Sequence, residues 1–301
     1  MRLVALAAAL ALAGCATGPA AEAPAGEQAA APSLQDILDN SPATDWRTLD
    51  PERTLYMELE AGRVIIELAP QFAPLHAANI RALARANYFD DSRILRAQDN
   101  YVVQWGRPDD DPRPLGSASE SVPGEIAIPR AGVEFSPFVD PDTYAPEVGF
   151  SYGFPAARNS AEVWLTHCYG MVGSARGEGL DGGNGGQLYV NIGQSPRNLD
   201  RNITLVGRII QGMELLSTQR RGTGPLGFYE TPGEMTPIRS IRVASDVPVG
   251  ERTNLEVLRT DSATWATVVD SRRTRRDAFF SNNPVNRIGV CNISAPVRPV
   301  N

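Results

Sequence analysis

With two histidines, three cysteines and no lysine, this 301-residue chain can perform only a narrow range of chemistry. Without lysine there is neither a Schiff base nor a phosphate-binding P-loop. His76 falls in a stretch of helical spacing, and His167 adjoins Cys168. Neighbours on a strand point to opposite faces, so His167 and Cys168 do not form a thiol–imidazole couple. No Gly-x-Ser-x-Gly elbow occurs, which removes the usual hydrolase nucleophile. So few histidines and thiols argue against zinc, and Asp109, Asp110 and Asp111 lack the alternate-position spacing of a calcium loop. Neither a metal nor a cofactor is expected. What remains for polar chemistry is carboxylates, amides and 28 arginines, a set that elimination alone does not narrow further. A guanidinium that never loses its charge acts by donating hydrogen bonds, and nearby amides can orient it. Taken singly, such residues are ordinary surface groups.

The elements that would position them can be read from hydrophobic spacing. Residues 55–59 and 64–68 alternate around Ala61 and Gly62, predicting two strands and a tight turn. Pro74 opens a helix over 75–87, with Ile80, Leu83 and Ala84 on one face. Further strands are predicted at 101–104, 170–175, 188–191, 203–210 and 238–243, with a second helix at 213–220. Between 107 and 163 lies a long insertion rich in Pro, Asp and Gly, a loop in this reading, and long loops beside a site serve as covers or carry function.

Two segments tie these elements to a known family. Residues 170–207, GMVGSARGEGLDGGNGGQLYVNIGQSPRNLDRNITLVG, contain a small-residue strand, a glycine-rich loop, a Gly-Gln-aromatic-aliphatic strand, an Asn-Leu-Asp turn and a strand ending in Val-Gly. Residues 88–106, YFDDSRILRAQDNYVVQWG, resemble the pattern Tyr-Tyr-Asp, Phe-His-Arg, Gly-Phe-(Met/Val)-x-Gln-Gly-Gly. In this order the segments resemble the cyclophilins, the prolyl cis/trans isomerases. The resemblance implies a mainly β fold: a closed antiparallel barrel capped by two helices, here with the loop insertion and a C-terminal extension. It implies that Arg96 and Gln104 are catalytic. It places Tyr101, Val102, Ala175, Arg176, Gln187, Tyr189, Asn198 and Leu199 along the substrate groove, with Tyr101, Val102, Tyr189 and Leu199 forming an apolar slot for the proline ring. Four positions depart from the pattern: Leu95 stands for a histidine, Arg176 for an asparagine, Asn198 for a tryptophan and Ile203 for a histidine. A proline-peptide binding module or chaperone with little turnover is the alternative that these departures favour.

The first fifteen residues are a charged start, an apolar run too short to span a bilayer, and Leu12-Ala13-Gly14-Cys15, which reads as a lipoprotein signal with Cys15 as the acylated residue. Ala16 after the cysteine, by resemblance to lipoprotein sorting rules, points to the periplasmic side of a bacterial outer membrane. Residues 16–50 then form a tether, composed up to 31 almost wholly of Ala, Gly, Pro, Glu and Gln; a short helix capped by Ser33 and a docking Trp46 interrupt it. The isomerase-like part spans 51–246, and 247–301 is an extension packed on the barrel, with 265–280 read as a helix or strand and 288–293 as a strand. Cys168 and Cys291 make an even pair, which an oxidising compartment favours joining; two buried thiols are the other reading. A net charge of −7 argues against a nucleic-acid surface, and Arg272, Arg273, Arg275 and Arg276 read as a solvated face. The expected partners are proline-containing polypeptides and, through the anchor, a membrane; the chain is expected to be a monomer.

Overall fold

The computed structural model describes residues 32–300 apart from 109–110, 182 and 277–278, so Cys15, Asp109 and Asp110 lie outside the described residues. The first helix, α1 (Leu34–Asp39), begins with a capping box: the Ser33 hydroxyl accepts from the Asp36 N–H while the Asp36 carboxylate accepts from the Ser33 N–H. Next come β1 (Trp46–Thr48), β2 (Thr54–Leu59), β3 (Gly62–Leu68), α2 (Pro74–Arg85), β4 (Ser92–Ala97) and β5 (Val102–Gly106). The insertion carries β6 (Ile128–Pro129), β7 (Ser136–Pro137), β8 (Glu147–Ser151), β9 (Phe154–Arg158) and β10 (Glu162–Leu165). Then follow β11 (Met171–Ser174), β12 (Gln187–Asn191), β13 (Leu205–Gln211), α3 (Met213–Ser217) and β14 (Pro237–Val243). The chain finishes with β15 (Leu255–Leu258), α4 (Ala263–Arg273) and β16 (Val297–Pro299). Among the described residues no helix is long and apolar enough to cross a membrane.

Eight strands close into an antiparallel barrel in the order β11-β12-β5-β4-β14-β2-β3-β13. Its interior follows from alternation. Leu55, Met57 and Leu59 of β2 and Val64, Ile66 and Leu68 of β3 point inward, joined by Ile94, Val103, Trp105, Leu188 and Val190. From α2, Ala77, Ile80, Leu83 and Ala84 pack on the same core. Ala73 supplies α2 with no side-chain cap. The Glu125 carboxylate of the insertion does so instead, accepting from the N–H groups of Leu75 and His76 at 2.9 Å each.

The insertion is not solely loop. Its strands form a five-stranded antiparallel sheet, β6-β10-β9-β8-β7, that sequence periodicity missed because the strands are short and carry Pro129, Pro137, Pro155 and Gly149. A second core lies outside the barrel, where outward Tyr56 and Ile65 meet Phe150, Phe154 and Trp164 of the insertion and Trp46, Val257 and Trp265. Phe150 and Trp265 approach to 4.7 Å between ring centroids.

Residues 33–50, expected within the tether, are folded: β1 pairs with β15, and β15 with β16, in a three-stranded sheet. Trp46 and Leu49 bury there, and that apolar surface is what separates this stretch from the alanine-rich one before it. The strand expected at 288–293 is a single 3-10 turn, Val290–Asn292, broken by Gly289 and Asn292. Beside it, Cys291 is bonded to Cys168 with a Cα–Cα separation of 4.9 Å. The bridge links the extension to the chain just before β11.

Candidate active site

Strand registry puts the candidate groups in one row. Arg96 on β4 pairs with Gln104 on β5, Gln104 with Tyr189 on β12, and Tyr189 with Gly173 on β11. Their sequence neighbours Val103, Leu188, Val190 and Val172 fill the barrel, so the row faces outward. Side-chain bonds then link it along a second direction. Arg96 Nη1 reaches Gln104 Oε1 at 3.5 Å, Gln104 Nε2 donates to Gln187 Oε1 at 2.9 Å, and Gln187 Nε2 donates to the Arg107 carbonyl at 3.1 Å.

The guanidinium of Arg96 is further fixed by Nε, which donates to the Leu226 carbonyl at 2.7 Å, and by Nη2, which donates to Gln98 Oε1. Each terminal nitrogen keeps a second N–H. The group stands 5.6 Å from the Tyr101 ring centroid and 5.1 Å from that of Phe228. Burial lowers its pKa, yet an arginine so placed stays a cation at neutral pH.

The Tyr189 ring lies across Gly173, where an added Cβ would meet the phenol at 2.3 Å, so only glycine permits this approach. Its hydroxyl is 2.9 Å from His167 Nε2, and His167 Nδ1 is 3.0 Å from Asp200 Oδ1. Since the Asp200 carboxylate can only accept, His167 Nδ1 donates to it, and Nε2 accepts the hydrogen bond that the Tyr189 hydroxyl donates. Burial raises the Tyr189 pKa further, which keeps the phenol protonated. Arg197 completes the network, donating to Asp200 and to Asp142 of the insertion.

A row of this composition can stabilise a developing lone pair by hydrogen bonding from a fixed cation, beside aromatic surface that suits an apolar ring. The sequence model of the family described as cyclophilin type peptidyl-prolyl cis-trans isomerase/CLD matches residues 54–243, more than half of the chain. The chain belongs to this family. Relatives of this cyclophilin include a probable peptidyl-prolyl cis-trans isomerase of Brucella suis biovar 1 (strain 1330), 25% identical over 174 residues, which are 58% of this chain and 74% of that protein. Peptidyl-prolyl cis-trans isomerase-like 1 of Homo sapiens is 24% identical over 197 residues, covering 65% of this chain and 92% of that protein. Among solved structures, cyclophilin AquaCyp293 from Hirschia baltica matches with a TM-score of 0.66 and 23% identity, covering 89% of this chain and 98% of its own.

The other residues predicted for the groove are placed unevenly. Tyr101 is half-buried beside Arg96, Val102 is buried on β5, and Leu199 is half-buried in the turn Arg197–Leu199. Ala175 joins Gln187 through its backbone, donating to the Gln187 carbonyl at 3.0 Å. Arg176 turns back on the chain, with Nε and Nη2 on the Asn202 carbonyl and Nη1 on that of Gly177. Asn198 is exposed. Among the described residues neither bonds to the Arg96, Gln104 and Gln187 chain, because Arg176 spends its reach on the Asn202 and Gly177 carbonyls and Asn198 faces solvent. Of the other departures, Leu95 is buried and Ile203 half-buried.

Sequence reasoning missed Gln98, Leu226 and Phe228 around Arg96 and His167 with Asp200 behind Tyr189. Residues 222–228, GTGPLGF, carry no alternation that marks a strand, yet Phe228 bridges to Arg96 and remains 38% exposed, enough to meet a peptide. His167 has no sequence neighbour that announces its role. Its partners come from 22 and 33 positions away.

Proposed function

We propose that this cyclophilin isomerises X-Pro bonds in proteins of a bacterial cell envelope, assisting their folding, while held by a lipid on Cys15 at the periplasmic side of the outer membrane. Rotation about such a bond faces a barrier of ~18–20 kcal/mol set by amide resonance. A donor aimed at the prolyl nitrogen stabilises the lone pair that forms as the amide twists, so resonance is lost at lower cost. The free N–H on each terminal nitrogen of Arg96 is that donor. Gln104 orients it and offers its amide to the substrate carbonyl, and the Tyr101 and Tyr189 side of the row receives the proline ring. No covalent intermediate forms, no proton is transferred, and one copy of the chain suffices.

The observation that carries this reading is the outward row from Arg96 through Gln104 to Tyr189, with Arg96 held from three sides. The signal-like residues 1–15 and the alanine-rich stretch after them support the location. A protease-coupled assay on an Ala-Pro peptide tests the reaction, with Arg96→Ala as the comparison; equal rates would remove Arg96 from the mechanism. Mass spectrometry of the native protein tests the anchor, which an unmodified Cys15 would exclude.

A second reading is a module that binds proline peptides with little turnover. It is favoured by the engagement of Arg96 with Leu226 and Gln98 inside the protein. Tight peptide binding with no rate above background would select it.

A further inference from the structure

Away from the groove, between the outer face of β13 and the C-terminal segment, lies a cavity of about 760 Å³. Four of the described residues that line it are arginines, Arg208, Arg272, Arg275 and Arg287, and none is an aspartate or glutamate. On a chain of net charge −7 this is a local reversal of sign. Phe150 and Val268 are among its apolar lining, and both cysteines of the bridge stand in its wall, so its shape is covalently fixed.

Arg208 is only 6% exposed, and its surroundings under-serve it. Its Nε is 3.6 Å from Glu67 Oε2, an ion pair too long for a hydrogen bond, and Glu67 is already engaged by Arg47 at 2.6 Å. Nη1 reaches the Ala295 carbonyl at 3.4 Å, while Nε and Nη2 have no hydrogen-bond partner. Burial pushes its pKa down to about 10, which leaves it charged at neutral pH. A buried cation with unmet donors is costly, and a nearby anion would offset that cost. Arg272 and Arg287 are exposed, with no side-chain bond to another described residue. They are available to an incoming ligand.

We propose that this cavity binds an anionic amphiphile, with a phosphate monoester or carboxylate gathered by the arginines and a short alkyl chain along the apolar wall. Guanidinium forks match both headgroups in bidentate fashion, and the volume falls in the range of small-ligand sites, about 300–1,000 Å³. A headgroup of a bilayer lipid and a free amphiphile present the same chemistry. No residue of the Arg96 row lines the cavity, so the proposal stands apart from the isomerase reading.

The test is calorimetric titration of the full chain carrying Cys15→Ser with dodecyl phosphate below its micellar concentration. Saturable one-to-one binding is expected, weakened at least tenfold by Arg272→Gln with Arg287→Gln. It should be unchanged by Arg113→Gln with Arg239→Gln, which removes the same charge elsewhere. Dodecyl maltoside, which keeps the tail and lacks the charge, should bind at least tenfold more weakly. The Arg272 and Arg287 variant should keep its isomerase rate and far-ultraviolet spectrum. Phosphatidylglycerol vesicles then identify the source: sedimentation that depends on the same two arginines assigns a bilayer lipid, and binding of the free amphiphile alone assigns a soluble one. Absence of binding, equal binding of dodecyl maltoside, or equal weakening by the two arginine pairs would overturn the proposal.

Discussion

The outer face of one barrel is used in two opposite ways. Along β4, β5 and β12 it carries Arg96, Gln104 and Gln187, which bond to one another and leave donors unspent. Along β2, β3 and β13 the equivalent outward positions, Tyr56, Ile65 and Arg208, are roofed over by the insertion and the C-terminal segment. The barrel interior is filled by its own side chains. Coverage of the outer surface therefore decides where the molecule is held together and where it can react.

Breaking the roofed side should have the largest effect. Trp265, 2% exposed with its ring tilted against that of Phe150, should cost about 3–5 kcal/mol on Trp265→Ala. Urea unfolding would read this loss, while isomerase kcat/KM at 25 °C stays within twofold; a matching loss of rate would mean that the two faces are not separable. Replacing Cys168 and Cys291 by serine should cost roughly 2–4 kcal/mol, since the bridge closes a loop with a sequence separation of 123. Two free thiols in the purified native protein would cancel that expectation.

On the open side the effects invert. Arg96→Ala should lower kcat/KM on an Ala-Pro peptide at least tenfold, ~1.4 kcal/mol of barrier, with little change in the unfolding midpoint. Gln104→Ala should follow with a smaller loss. Tyr189→Phe removes the hydroxyl that serves His167 and should cost about 1 kcal/mol of stability by leaving a buried nitrogen unmet. If stability holds while the rate falls, the hydroxyl acts on the substrate side instead.

The smallest effect expected is at Glu125, where the insertion meets α2. Burial works to raise its carboxyl, but hydrogen bonds from His76 and from the N–H groups of His76 and Leu75 outweigh burial and hold its pKa below the ordinary range. Such a group stabilises the fold fully above about pH 4 and loses that contribution as pH falls through its lowered value. Glu125→Gln should therefore cost up to about 1 kcal/mol at pH 7. The difference from the unaltered chain should shrink in acid.

What the sequence disclosed follows the same division. The strands of the barrel were legible because 55–59 and 64–68 alternate, and the adjacency of Arg96 and Gln104 because both sit in recognisable strand segments. The capping box at Ser33 and the pairing of Cys168 with Cys291 were also within reach. The insertion sheet was not, since strands of two to five residues containing proline hold too few alternations to register. Nor was the network of His167, Asp200 and Tyr189, because its members meet only through the folded turn after β12. A buried histidine has no local spacing to announce its partner.

The closure of the barrel also sets a schedule. β2 must pair with β14, Leu55 against Val243, and β15 finds its neighbours only in β1 and in β16. A chain that emerges N-terminus first therefore holds its first strands open until the closing strand arrives. Pairings this distant also form slowly, in milliseconds to seconds, once all partners are present. Until then β2 and β3 expose unpaired edges to any neighbouring chain, and a factor that shields them during that interval should raise the yield of folded protein.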